Sequence, residues 1–159
     1  VARGLWEVVC IGPDGREKWR DTWRNLVTNE GLDHLLDATL AAATQITTWY
    51  VGLTDGTPTP AAGDTLASHA GWTEVTDYAD DRKEWTAGSV SSQSVDNSAN
   101  KAEFAINADS TTVGGAFLAS AATGTSGTLY AVGAFTGGDK SVDDGDTLQV
   151  TATFTTSAA

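Results

Sequence analysis

Residues 147–156 read TLQVTATFTT, with Leu148, Val150, Ala152 and Phe154 on one side of a period-two repeat and Thr147, Gln149, Thr151, Thr153 and Thr155 on the other. Successive side chains of an extended chain point to opposite faces, so this pattern fits a half-buried strand. It does not fit a helix, whose apolar positions recur every three or four residues. The same alternation at 101–107 places Ala102, Phe104 and Ile106 inward. Further short strand-like runs at 46–53, 84–87, 89–95, 112–120 and 128–135 are separated by Gly, Ser and Asp turns. Many short strands at regular spacing predict a mainly β fold, a jelly roll or β-sandwich. With 159 residues, a single β-rich structural domain over 1–159 buries roughly 68–70% of its unfolded surface, enough for a self-sufficient core.

Residues 5–27 predict a hairpin. Gly12-Pro13-Asp14-Gly15 is a turn signal because proline presets φ and glycine accepts φ > 0. The second run, 16–27, fits either period, since Trp19, Trp23, Leu26 and Val27 also form a helical stripe. The preceding turn and the β-compatible Thr22 and tryptophans favour a strand, with Arg16, Lys18, Arg20 and Arg24 on one face and Trp19, Trp23 and Val27 on the other. Thr28-Asn29 then reads as an N-cap, with Glu30 in the first turn and Leu32, Leu35, Leu36, Thr39 and Leu40 at helical spacing. This predicts one short helix over about 29–42, with His34 on the face away from most of the leucines, at a solvated rim. Residues 54–84 predict a long ordered loop excursion, bracketed by Trp49 and Trp85 and carrying the compact cluster Ser68-His69-Ala70-Gly71-Trp72.

The net charge is −12, which argues against direct binding of nucleic acid, since phosphate neutralisation needs a basic surface. The charge is unevenly spread. Residues 1–24 hold five cations against four acids, and the remainder holds four cations against seventeen acids. The basic hairpin on an acidic body suggests a docking edge for an acidic partner or another copy of the chain, with a solvated face carrying local ion pairs as the equal alternative. Arg16, Lys18, Arg20 and Arg24, with Trp49 and Trp72, are the candidate contact residues. No 18-residue apolar run and no signal-peptide pattern is present, so the expectation is a soluble chain made in the cytoplasm that neither spans a membrane nor is exported by the usual route. A lone Cys10 allows no internal disulfide.

The chemical inventory is thin. Gly133 to Ser141 approximates a phosphate loop, but Asp139 stands where phosphate would lie and no helix follows. Asp139, Asp143, Asp144 and Asp146 offer oxygen ligands of the kind calcium takes, yet lack the EF-hand pattern and read as ordinary β-turn residues. His69 with Asp64 and Glu74 sketches an acid–base set, but a histidine beside Gly71-Trp72 more often fastens a loop through hydrogen bonds. His69 and Asp64 are therefore assigned to loop fixing. No catalytic residue, metal site or cofactor is expected.

The blocks Asn25-Leu26-Val27-Thr28-Asn29-Glu30-Gly31-Leu32, Trp49-Tyr50-Val51-Gly52-Leu53-Thr54-Asp55-Gly56-Thr57-Pro58 and Gly63-Asp64-Thr65-Leu66-Ala67-Ser68-His69-Ala70-Gly71-Trp72-Thr73-Glu74 resemble a group of small tailed-bacteriophage virion proteins. Gly114-Gly115-Ala116-Phe117-Leu118 and Gly145-Asp146-Thr147-Leu148 resemble the same group. The resemblance implies a non-enzymatic particle component made in the host cytoplasm, with capsid decoration (cement) as the first assignment. Its partners would be the major capsid protein or another virion protein, and further copies of itself. The alternative is a tail or neck component, including a carbohydrate- or receptor-binding module that uses exposed tryptophans.

Overall fold

The computed structural model describes residues 2–157. Twelve strands and one helix follow in the order β1 Ala2–Ile11, β2 Glu17–Val27, α1 Asn29–Leu40, β3 Tyr50–Thr54, β4 Glu74–Val75, β5 Lys83–Glu84, β6 Ser94–Asp96, β7 Ala102–Ala105, β8 Thr111–Val113, β9 Gly115–Ala119, β10 Leu129–Ala134, β11 Lys140–Val142 and β12 Thr147–Thr156. The fold is mainly β, of the β-sandwich or jelly-roll type that the alternation predicts.

The β1–β2 hairpin is the frame of the sandwich. Gly12 and Arg16 close its turn, with Gly12 N donating to Arg16 O at 2.8 Å and Gly15 at φ +76°. β2 runs as a strand, because Trp23 opposite Trp6 puts two indoles on the buried side of the same pair. β1 also pairs along its whole length with β12, whose other edge takes β7 and β6. At its far end β2 leaves this sheet, and Leu26 and Val27 pair with Val132 and Ala131 of β10, continuing into β9, β3 and the short β4 and β5. A strand that serves both sheets turns the corner between them. The inward residues of the two layers, Trp6, Val8, Cys10 and Trp23 with Phe104, Leu148, Val150 and Ala152 from one side and Val51, Leu53, Ala116 and Leu118 from the other, form one core.

The β9 run Gly-Ala-Phe-Leu-Ala is buried at every position. Ala116 and Leu118 face the main core, whereas Phe117 and Ala119 face a second cluster with Leu66, Trp72, Leu129 and Val132. The excursion after β3 therefore lies over the outer face of the β3–β9–β10 layer as a third layer. A continuous apolar strand is the sequence signature of burial on both faces.

Several boundaries differ from the sequence expectation. The run 46–53 is paired as a strand only from Tyr50; Ile46 to Trp49 lies outside any strand, with Ile46 N donating to His34 Nε2 of the helix at 3.4 Å. Of the runs 84–87 and 89–95, only Glu84, in the two-residue β5, and Ser94 and Val95, in the three-residue β6, are in strands. The run 112–120 divides at Gly114, whose N–H and carbonyl bond Thr54 O and Phe135 N, so that β8 departs to pair with β11. The excursion is not purely loop, since β4 and β5 add to β3. The helix ends at Leu40 instead of 42, with Ala42 in the left-handed region at φ 58°.

The orientation of the helix is the main correction. Gly31 is its one buried residue, while Leu32, Leu36 and Leu40 are 40%, 56% and 81% exposed. His34, Leu35 and Ala38 are half-buried and face the body of the protein. The rotation is set by the first turn. Thr28 Oγ1 accepts from Gly31 N at 3.1 Å and donates to the Leu129 carbonyl, Thr28 N donates to Tyr130 O at 3.0 Å, and the Glu30 carboxylate accepts from Leu129 N at 2.9 Å. These bonds satisfy helix cap and strand edge together and bring Gly31 so close that a Cβ there would lie 2.3 Å from Tyr130 O.

Candidate functional site

The excursion is fastened around one carboxylate. Asp64 Oδ2 accepts from Trp72 Nε1 and from Ala61 N, both at 3.0 Å. The His69 ring stacks on the Trp72 indole with centroids 3.7 Å apart and planes at 13°. His69 Nδ1 lies 2.9 Å from Trp72 O; a carbonyl only accepts, so Nδ1 carries the proton of that bond. The ends of the segment are tied by Asp55, which accepts from Thr73 N at 3.0 Å, and by Asp139, which accepts from Thr57 N at 2.6 Å. Asp64, His69 and Trp72 are thus brought together. Trp72 is only 4% exposed and sits in the second core cluster, so it offers no platform to a partner or a sugar.

The four basic hairpin residues do not present one free surface. Arg20 is held by Glu17 at 2.6 and 2.9 Å and by Glu7 at 3.4 Å. Lys18 Nζ donates to Asp146 Oδ2 at 2.7 Å, with Asp143 at 3.6 Å. Burial alone would raise the Asp146 carboxyl, but the Lys18 ammonium and the Asp143 N–H outweigh it and hold the group below its ordinary value. The hydrogen bond to Asp146 correspondingly raises Lys18. Cys10, buried beside the same carboxylate, has its thiol pushed up to about 12. Among the described residues the Arg16 guanidinium reaches only Asp14, at 3.9 Å. Arg24 is exposed and has no ion-pair partner among the described residues.

The remaining acidic and glycine-rich turns are engaged by the chain itself. Asp143 accepts from Ser110 N at 3.1 Å, and Asp146 accepts from Asp143 N at 3.0 Å. In the loop that approximates a phosphate binder, Gly137 N donates to Asp21 at 2.7 Å, so that amide already faces a carboxylate. Among the described residues, no group of three or more His, Cys, Asp or Glu side chains is placed to hold a metal ion. No helix there is long and apolar enough to cross a membrane.

Two surface features bear on function. The first is a cleft of about 270 Å³ between α1 and the open edge of the sandwich, walled by His34, Leu35 and Ile46 and floored by Trp49, Trp85, Tyr130 and Phe154. Its rings meet edge to face: Trp49–Tyr130 and Tyr130–Phe154 at 5.3 Å, and Trp85–Phe154 at 5.5 Å. Phe154 joins the set to the core through Trp6 at 6.0 Å. Trp85 is pinned by its Nε1 donating to Ala152 O at 3.1 Å. Trp49, half-buried, thus belongs to this cleft and lies apart from Trp72. Tyr130 and Phe154 were not legible as site residues: Phe154 reads as one more inward position of β12, and only the missing wall beside it makes it a floor. The second feature is the outward leucine face of α1, flanked by the exposed Asp33 and Asp37.

None of the curated proteins matches the chain. Residues 22–157 match the family described as Podophage GP4 fiber I protein gp80. That span runs from the corner strand β2 through α1, the excursion and both layers of the sandwich to the end of β12. The chain belongs to this podophage fiber protein family, and with it to the structural proteins of the tailed-phage virion.

Proposed function

We propose that the chain is a non-catalytic structural subunit of the fibre apparatus of its virion, assembling with further copies of itself and with other virion proteins. The family's description as a fiber protein supports this placement over decoration of the head shell. The observation that carries the assembly role is the helix face of Leu32, Leu36 and Leu40, which the fold leaves in solvent. Three leucines on one side of a helix form a contiguous apolar strip, and such strips on soluble proteins mark contact surfaces. Under this reading the major capsid protein is not a direct partner. Gold-labelled antibody against the chain, applied to intact particles, is expected to mark tail-associated fibres. Labelling spread over the head shell would overturn the placement and return the chain to a cement role.

The cleft favours a second reading, in which the same subunit also takes a receptor or carbohydrate. Trp49 and Trp85 present half-buried aromatic surface there, and aromatic faces bind the apolar sides of sugars. Glycan binding that is lost in Trp49→Ala while the fold is kept would support it, and binding unaffected by that change would sink it.

A further inference from the structure

The helix face is acidic as well as apolar. At 3.6 residues per turn, Leu32, Leu36, Leu40, Asp33 and Asp37 fall within an arc of about 140°, and all five are exposed. No basic residue stands in the last turn. Neither aspartate has an ion pair or a side-chain hydrogen bond among the described residues. Packing two such helices face to face about a twofold axis would set four carboxylates together with no cation between them, which disfavours a symmetric helix pair.

A complementary surface exists on the same chain. On the outer face of the β1–β2 hairpin, Arg24 stands directly opposite Leu5; by parity Arg3, two residues before Leu5 along β1, and Leu26, two residues after Arg24 along β2, lie on the same side, just past the last hairpin pair Gly4–Asn25. Leu5 is 51% exposed and Leu26 37%. Arg3 and Arg24 are exposed, and neither has an ion-pair partner among the described residues. The two arginines sit on a cross-strand diagonal of roughly 7–8 Å. Asp33 and Asp37, one helical turn apart, are separated by roughly 6 Å. Leucines beside unpaired guanidinium groups therefore answer leucines beside unpaired carboxylates, at similar spacing.

The geometry points to a head-to-tail contact in which α1 of one copy lies across the outer β1–β2 face of the next, with Asp33 and Asp37 against Arg3 and Arg24. It rests on the reading of the chain as a repeating structural subunit. Because the two patches differ, the contact is heterologous and continues from copy to copy, closing into a ring or extending as a stack. The leucines supply the buried apolar surface, and the charges fix orientation and exclude the symmetric alternative.

The test uses the purified chain in sedimentation velocity over a concentration series. The native chain is expected to self-associate, more weakly at high salt. Asp33→Arg with Asp37→Arg, or Arg3→Glu with Arg24→Glu, is expected to weaken association by about tenfold or more. All four positions are exposed, so circular dichroism is expected to show the native fold in both variants. Mixing the two variants restores complementary pairs wherever the two alternate, and association between them is expected to return, whether or not a ring of the native size can close. Three results overturn the contact: a native chain that stays monomeric to about 1 mM, a mixture that does not recover, or association strengthened by Asp33→Asn with Asp37→Asn, which would indicate the symmetric helix pair. Each is independent of where antibody marks the particle, so failure here and failure of the fibre placement are told apart.

Discussion

Replacing Gly31 with alanine is expected to destabilise the protein, although the residue lies in a helix where alanine is the better former. Intrinsic propensity favours the change by about 0.5–1 kcal/mol, since glycine loses more backbone freedom on folding. Against this, the new Cβ would stand 2.3 Å from Tyr130 O and 3.0 Å from Tyr130 C and Cα, all backbone atoms of a paired strand. No side chain can swing aside, so the helix must lift from β10. Overpacking of this kind costs about 1–3 kcal/mol. Lifting also strains the Thr28 N to Tyr130 O and Leu129 N to Glu30 bonds, each with a net contribution of about 1 kcal/mol. The balance is a loss of about 1–3 kcal/mol, or roughly 2–12 °C in Tm for a chain of this length. Urea unfolding followed by circular dichroism measures it, with Gly63→Ala as control, because a Cβ there meets nothing within 4 Å. A Gly31→Ala protein as stable as the native chain, or more stable, would refute the account of how the first turn sets the helix rotation.

Two further outcomes concern polar groups held inside the fold. Asp64→Ala leaves the Trp72 indole N–H and Ala61 N without their acceptor, and is expected to lower stability by about 1–3 kcal/mol; limited proteolysis should then cut first within 55–73, and unchanged resistance would show that Asp64 is not the fastener. Asp146 is held below its ordinary value of 3.8, so its contribution is complete above that value and is lost as pH falls through the lower folded value. The difference in urea midpoint between the native chain and Asp146→Asn should therefore be constant near neutral pH and shrink below about pH 4; a difference that grows on acidification would reverse the sign and remove the Lys18–Asp146 pair as its cause.

Period-two alternation was sufficient to place 147–156 and the centre of 101–107, Ala102–Ala105, in strands and to choose their inward faces, because a strand's side-chain direction depends only on position parity. The Gly-Pro-Asp-Gly turn settled the ambiguous 16–27 run for the same local reason. Thr28 and Glu30 marked the start of the helix, since capping is a matter of neighbours in the chain. The boundaries of β3, β5 and β6 failed because those strands extend only where a partner strand is present, and partners come from distant sequence.

What the amino-acid sequence determined by itself, then, was the class of fold, the strand faces and the helix start, all of which depend on periods and bonds spanning a few residues. Only the tertiary structure decided which way the helix turns and which aromatic residues stand at an open edge. The leucine spacing at 32, 36 and 40 is the same whether the stripe faces the core or solvent. Its direction was chosen by Gly31 and Glu30 against Leu129 and Tyr130 of β10, residues about a hundred positions away. The same holds for Trp49, Trp85, Tyr130 and Phe154, which become one cleft because two sheets and a helix converge there.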